Sequence, residues 1–65
     1  MNINLFKEMK SKGVSQLQLA KTLNISRKSI NNKLSGKNEF TQNEMFLTKN
    51  VFFPDLTLEY LFAKE

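Results

Sequence analysis

The stretch LAKTLNISRKSINNKL, residues Leu19–Leu34, places four charged or amide side chains together on one short predicted helix: Arg27, Lys28, Asn31 and Asn32. None of these side chains builds an apolar core. A helix that served stability alone would carry alanine, leucine or glutamate at such positions. The composition of this helix therefore indicates a surface that contacts something other than the core of its own chain.

A very short connection joins this helix to the one before it. Only Asn24, Ile25 and Ser26 separate the predicted helices 16–23 and 27–34. A link of about three residues forces two helices to cross steeply, which is the helix-turn-helix geometry. The small and apolar residues predicted to pack between the two helices are Leu19, Ala20, Leu23, Ile25, Ile30 and Leu34.

The same signal for the start of a helix recurs at four places along the chain. It consists of a Ser or Thr that directly follows one apolar residue and is itself followed, four positions later, by a second apolar residue. This is an N-cap inside a hydrophobic staple. Gln18 and Glu44 lie three positions after their N-caps and complete two capping boxes. The predicted N-caps are Ser15, Ser26, Thr41 and Thr57.

The stop signals are residues that tolerate a left-handed backbone, namely Gly13, Asn24 and Gly36, and the helix breaker Pro54. No stretch alternates with period two for long enough to indicate a strand. The sequence therefore predicts an all-α fold, a single domain over residues 1–65. Its five short helices are expected at about residues 4–11, 16–23, 27–34, 42–49 or a little beyond, and 58–62.

The composition narrows the possible functions. A chain of 65 residues buries only about 60% of its unfolded surface, so its core is marginal. It has no Cys and no His, which excludes disulfides and the usual zinc ligands, and we expect no metal or cofactor. It also lacks a Gly-rich phosphate loop and a paired carboxylate site, so we expect neither an enzyme nor a small-molecule binder. No apolar run approaches the ~20 residues of a membrane span, and a cytoplasmic location is expected.

Charge and aromatic content divide the chain in two. Residues 1–38 hold eight of the ten basic residues and one acidic residue, whereas residues 39–65 hold five of the six acidic residues and six of the seven aromatics. A basic segment suits a polyanion. The aromatic segment suits core packing or a protein partner.

The side chains of helix 27–34 that point away from the core are suited to reading DNA bases. Ile30 and Leu34 are four positions apart and face inward together. Arg and Lys can donate to guanine O6 and N7, Asn can pair with adenine N6 and N7, and a short Ser allows close approach. The predicted base-reading residues are Arg27, Lys28, Ser29, Asn31 and Asn32.

Phosphate contacts are expected from the elements that flank this helix. Gln16 lies in the first turn of helix 16–23, where unbonded N–H groups and the positive end of the helix dipole favour an anion. Lys7, Lys10, Lys12 and Lys21 are expected to add only diffuse attraction. The predicted phosphate-binding residues are Gln16, Lys33, Lys37 and Asn38.

These motifs resemble the helix-turn-helix of the phage repressor and Cro family, also called the XRE family. The resemblance lies in Val14-Ser15-Gln16, Leu19-Ala20, Leu23-Asn24-Ile25-Ser26, Ile30 and Ser35-Gly36-Lys37. It implies a lambda-repressor-like domain with its helix-turn-helix at about residues 15–34 and with the second helix of that motif in the major groove of operator DNA. It also implies that Gln16 is a phosphate clamp and that Arg27, Lys28 and Asn32 are the main base-reading positions.

Two residues depart from the usual pattern of that family. Asn24 replaces the usual glycine of the turn, but asparagine also adopts the left-handed conformation. Leu17 stands where the family has a polar residue, and the sequence leaves open whether it is buried. A short chain without a separate C-terminal domain favours a Cro-like repressor over a full-length lysogenic repressor.

The aromatic half leaves two alternatives open. Helices 4 and 5, within about residues 41–62, are expected to close the core, and surplus apolar residues could form a homodimer contact that is weak in solution and completed on DNA. Alternatively, the aromatic half docks on a phage repressor, and the protein is a protein-binding modulator or antirepressor. The predicted dimer contact comprises Phe52, Phe53 and Leu56.

Overall fold

The computed structural model describes residues 2–63, and these residues form helices without any β-strand. The all-α prediction is confirmed, and four of the five helices match their predicted bounds to within one residue. Met1, Lys64 and Glu65, which the predicted domain 1–65 includes, lie outside the described residues. The helices are α1 (Ile3–Lys12), α2 (Gln16–Leu23), α3 (Arg27–Ser35), α4 (Gln42–Phe52) and α5 (Leu58–Leu61).

All four predicted N-caps are confirmed. Each hydroxyl oxygen accepts a hydrogen bond from the backbone N–H three residues further on, at 3.1 Å for Ser15 and 3.2 Å for Thr41. Gln18 and Glu44 bond back to the backbone N–H of their N-caps and complete both capping boxes. Ser26 and Thr57 cap α3 and α5 in the same way.

The helix ends follow the residues that break them. Gly13, Asn24 and Gly36 adopt left-handed φ angles of 78°, 58° and 92°. Helix α4 continues three residues past its predicted end and stops at Phe53, whose φ is −135°. Because a proline disfavours a helical conformation in the residue before it, Pro54 sets this end.

The core lies where α2 meets α3 and α4, and where α1 and α4 meet α5. Leu5, Leu19, Ile30 and Leu61 are fully buried. The buried hydroxyl of Thr48 donates to the Glu44 carbonyl oxygen at 2.8 Å, so its burial leaves no unpaired polar group. The remaining buried apolar residues are Met9, Ala20, Leu23, Leu34, Phe40 and Phe53.

Polar contacts fasten the C-terminal segment to the rest of the fold. The Asn4 amide donates to the Tyr60 carbonyl oxygen, and the Tyr60 hydroxyl donates to Glu8 Oε2, both at 2.8 Å. Lys12 Nζ donates to the carbonyl oxygen of Phe52, and Lys49 Nζ donates to that of Pro54 at 3.0 Å. These bonds hold α5 and the preceding loop against α1 and α4.

Within residues 2–63, no helix combines the length and the apolar character needed to cross a bilayer.

Candidate nucleic-acid interface

The corner between α2 and α3 is built by backbone hydrogen bonds. Asn24 takes the left-handed conformation and donates its N–H to the Lys21 carbonyl oxygen at 3.2 Å. The N–H of Ile25 donates to the Ala20 carbonyl oxygen at 3.0 Å. This pattern closes the end of α2 in the Schellman manner. Ile25 packs on the core, and α3 therefore starts directly against α2.

Helix α3 divides cleanly into a core side and a solvent side. Ile30 and Leu34 are buried, whereas Arg27, Lys28 and Asn31 are exposed. The side chains of these three residues make no hydrogen bond, ion pair or ring contact with any described residue. Two cationic groups and one amide therefore stand unpaired on the first turn and a half of one helix.

The other two predicted base-reading residues are only half-exposed. Ser29 belongs to the N-cap of α3, because its hydroxyl oxygen accepts a hydrogen bond from the Ser26 hydroxyl at 3.1 Å. Its own hydroxyl hydrogen remains available as a donor. The side-chain amide of Asn32 has no partner among the described residues, although the residue is half-buried. Both residues are less exposed than Arg27 and Lys28.

The start of α2 offers unbonded backbone donors. The capping box uses the N–H groups of Ser15 and Gln18, and those of Gln16 and Leu17 have no acceptor within residues 2–63. The Gln16 side chain is half-buried beside them. Leu17 is 47% exposed, which answers the question that the sequence left open. An anion at this position would meet N–H donors at the positive end of the α2 dipole.

The loop after α3 presents side chains rather than backbone donors. The N–H groups of Lys37 and Asn38 both donate to the Asn32 carbonyl oxygen, at 2.9 and 3.2 Å. Both side chains are exposed and make no hydrogen bond, ion pair or ring contact with a described residue. The start of the loop is therefore fixed to the end of α3, and the ammonium of Lys37 and the side-chain amide of Asn38 are free to meet a ligand.

The structure places Lys33, predicted to bind phosphate, in an ion pair within the protein. Its Nζ lies 2.8 Å from Glu44 Oε1, and both side chains are only 13% exposed. The same ammonium donates to the Glu39 carbonyl oxygen at 3.2 Å and lies 6.0 Å from the centre of the Phe40 ring. Lys33 points sideways from α3 towards α4, and its charge is satisfied inside the protein.

The electrostatics of Glu44 follow from this ion pair. Burial raises the pKa of the Glu44 carboxyl group, but the hydrogen bond and charge of Lys33, together with hydrogen bonds from Thr41, outweigh burial. The net effect holds the pKa of Glu44 below its ordinary value of 4.5. The carboxylate links the end of α3 to the first turn of α4.

The structure also corrects the expected apolar patch at Phe52, Phe53 and Leu56. Phe53 is 4% exposed, and the other two are half-buried against the core. The large apolar residues that the fold leaves exposed are elsewhere, and three of them lie on α4. A signal for this was present in the sequence, because three consecutive residues of one helix, 45–47, span about 200° and cannot all face one core. The exposed set is Leu17, Phe46, Leu47, Val51 and Tyr60.

The open cleft beside α1 is a weaker candidate for a binding site than the surface of α3, because fewer of its charged groups are unpaired. It has a volume of about 330 Å³ and lies between α1 and the loop at 53–56. Two of its three charged residues, Glu8 and Lys12, already bond to Tyr60 and Phe52, and Asp55 is the third. Among residues 2–63, no group of three or more acidic, Cys or His side chains is placed to hold a metal ion.

Comparisons with protein-family models, with curated proteins and with solved structures find no match for this chain. The fold and the site themselves define its class: a small all-α domain that presents an unpaired cationic and amide surface on one short helix.

Proposed function

We propose that this protein is a sequence-specific DNA-binding transcriptional regulator, a Cro-like repressor of the helix-turn-helix class that binds operator DNA in a phage or prophage control region. The observation that carries the proposal is the unpaired, exposed trio of Arg27, Lys28 and Asn31 on α3. These side chains stand where a three-residue turn fixes α3 against α2.

The dimensions and chemistry of α3 support major-groove binding. An α-helix with its side chains is about 10–12 Å across, and the major groove of B-DNA is about 12 Å wide. In the proposed complex Arg27 and Lys28 donate to guanine O6 and N7. Asn31 and Asn32 pair with adenine, and Ser29 approaches a base edge or a thymine methyl group.

The flanking groups fit the two sides of a groove. Gln16 and the free N–H groups at the start of α2 bind one phosphate backbone. Lys37 and Asn38 after α3 bind the other. These contacts orient α3 without reading sequence. Two copies bind half-sites about one helical turn apart. The protein acts in the cytoplasm and needs neither a metal nor a cofactor.

The test is a binding selection from a random duplex library, followed by anisotropy of the selected duplex against a scrambled one at several salt concentrations. We expect the selected duplex to be palindromic and to bind at least about 1,000-fold more tightly than scrambled DNA. A library without enrichment, and equal salt-dependent binding to every duplex, would show that α3 is only a generic basic surface.

Arg27→Ala and Lys37→Ala separate base reading from phosphate binding. Arg27→Ala should relax the preference at one base pair and cost about 1–3 kcal/mol there. Lys37→Ala should weaken binding to all sequences and reduce the salt slope by about 1. Lys7→Ala removes the same charge from the exposed side of α1 and should change neither property beyond diffuse attraction. If Arg27→Ala and Lys37→Ala change the affinities for cognate and random DNA in the same way, the assignment of Arg27 to base reading and of Lys37 to phosphate binding is wrong.

A further inference from the structure

One side of α4 carries exposed residues and no ionisable group. Asn43, Phe46, Leu47, Asn50 and Val51 are all exposed, and together they form what we call the α4 face. At 3.6 residues per turn they fall within an arc of about 140° on the helix. Phe46 and Leu47 are each 43% exposed and Val51 is 53% exposed. The opposite side of α4, with Met45 and Thr48, packs on the rest of the fold.

The α4 face has an internal two-fold pattern. Asn43 lies three positions before Phe46, and Asn50 lies three positions after Leu47. A two-fold rotation about an axis perpendicular to the helix, through the midpoint between Phe46 and Leu47, therefore exchanges the positions of Asn43 and Asn50. It also exchanges the positions of Phe46 and Leu47. Two antiparallel copies of α4 would place each Asn43 opposite an Asn50, and each Phe46 opposite a Leu47. A surface of this kind is complementary to itself, which is the requirement of a two-fold symmetric interface.

We propose that the α4 face binds a second copy of this chain, with the two α4 helices antiparallel and related by a two-fold axis between Phe46 and Leu47. The phenyl and isobutyl groups form the apolar centre of the contact. At each end an Asn43 amide bonds the Asn50 amide of the other copy, since an amide both donates and accepts. Neither amide has a partner among the described residues of a single copy.

The charge distribution permits a second copy to occupy this face. The chain carries a formal net charge of +4, so two copies repel each other through their basic surfaces. The α4 face brings no like charges together, because its five residues are all uncharged. The basic side chains Arg27, Lys28 and Lys37 take no part in this contact, so the inference does not rest on the proposed binding of DNA.

The contact is small. Helix α4 has 11 residues and is therefore about 16 Å long. A contact confined to one side of a helix of this length is expected to bury less than the roughly 1,200–2,000 Å² of a standard stable interface. Association is therefore expected to depend on concentration and to be incomplete in dilute solution.

The first experiment measures mass by sedimentation equilibrium of the full chain without DNA, from micromolar to millimolar concentration. The wild-type mass should rise from monomer towards dimer. Phe46→Glu should weaken association at least about tenfold, because it places two carboxylates in the apolar centre. Lys7→Gln makes the same change in net charge on α1 and should associate at least as well as wild type. Circular dichroism checks that each variant folds.

The second experiment tests the antiparallel arrangement by charge pairing. Asn43→Asp/Asn50→Asp should lose association, because each aspartate meets an aspartate, and Asn43→Lys/Asn50→Lys should lose it for the same reason. An equimolar mixture of these two variants should associate, because each aspartate then meets a lysine of the other copy. The variant Asn43→Asp/Asn50→Lys should associate with itself for the same reason, since position 43 of one copy faces position 50 of the other. In a parallel pair the last variant would place like charges together and would stay monomeric.

Wild-type protein that remains monomeric at millimolar concentration would overturn the proposal, even if the α4 face captures another protein. So would association that survives Phe46→Glu, or a monomeric Asn43→Asp/Asn50→Lys variant. Since these measurements contain no DNA, their failure leaves the outcome of the duplex selection untouched.

Discussion

Single residues of the same type have different roles in this protein because their surroundings differ. Lys33 and Lys37 are four positions apart on and after α3, and both are basic side chains in the positively charged part of the chain. The ammonium of Lys33 is enclosed by Glu44, the Glu39 carbonyl and the Phe40 ring, whereas the Lys37 side chain is exposed and unpaired. The first lysine stabilises the fold, and the second is available to a ligand.

Lys33→Met should lower the melting temperature while leaving DNA affinity unchanged in the folded protein. Methionine keeps an apolar stem beside Phe40 but removes the ion pair, at a cost of about 1–3 kcal/mol for a pair that is mostly but not fully buried. Lys37→Ala is the matched control, because it removes the same charge and should leave the melting temperature unchanged while weakening DNA binding. The checks are thermal circular dichroism and anisotropy. Weaker DNA binding by a Lys33→Met protein of normal stability would restore Lys33 as a phosphate contact.

The single tyrosine of the chain reports the contact between α1 and α5. Its hydroxyl donates to Glu8 Oε2 at 2.8 Å, and this hydrogen bond to the carboxylate raises the pKa of Tyr60 above its ordinary value of 10.0. Because the folded pKa is raised, the stabilising contribution is complete below pH 10.0 and is lost as the pH rises through the folded pKa.

An ultraviolet titration of tyrosinate should therefore show an inflection above pH 10.0 in the wild-type protein. Glu8→Gln should move the inflection down, since it removes the negative charge beside the hydroxyl. Glu59→Gln makes the same change in charge next to Tyr60 in sequence and should leave the inflection in place. Identical titrations of wild type and Glu8→Gln would contradict the contact.

At the scale of helices and turns, local sequence signals are sufficient. Ser and Thr hydroxyls bond N–H groups three residues away, and glycine or asparagine closes α1, α2 and α3 with a left-handed residue. These interactions involve neighbours in sequence, so the sequence predicts them without knowledge of the tertiary fold. Even the longer α4 has a local cause, the proline two positions after its last residue.

The turn between α2 and α3 depends on the left-handed conformation of Asn24, with φ 58° and ψ 44°. Asn24→Gly should leave the free energy of unfolding within a few tenths of a kcal/mol, because glycine adopts this conformation readily. Asn24→Ala should cost about 1–2 kcal/mol, because alanine keeps the Cβ that disfavours this conformation and lacks the short polar side chain that lets asparagine adopt it. Asn31→Ala, at an exposed helical position of α3, is the control and should not destabilise the protein. Urea unfolding followed by circular dichroism measures all three, and an Asn24→Ala variant as stable as wild type would contradict the role of the turn.

At the scale of the whole molecule, the ion pair of Lys33 and Glu44 joins the basic segment of the chain to the acidic one. It connects the last turn of α3 to the first turn of α4 across a loop whose Phe40 is buried. The same folding leaves the other basic side chains of α3 and its following loop unpaired on the surface. The arrangement separates a structural charge from the charges proposed to meet DNA.

The stability of the protein should therefore fall in acid, and Glu44 should account for part of the fall. Because the folded pKa of Glu44 lies below its ordinary value of 4.5, its stabilising contribution is complete above pH 4.5 and is lost as the pH falls through the folded pKa. Glu44→Gln should lower the urea midpoint at neutral pH and flatten its dependence on pH in acid. Glu59→Gln is the control and should keep the wild-type slope. Parallel pH profiles of wild type and Glu44→Gln would contradict the coupling.

The sequence by itself determined the number of helices, their caps, the short turn before α3 and the outward position of Lys28. The helices, caps and turn follow from hydrogen bonds between near neighbours, and the position of Lys28 follows from the inward pair Ile30 and Leu34. Arg27 lies seven positions before Leu34, on the same side of the helix, and only the structure shows that it is exposed. The tertiary structure alone decided that Lys33 is engaged by Glu44, that Phe53 is buried, and that Phe46, Leu47 and Val51 are exposed. These outcomes depend on which side of α4 meets α2 and where the loop after α4 returns. Contacts between residues distant in sequence set both features. The local spacing of residues 45–47 shows only that they cannot all face one core, and not which of them the fold buries.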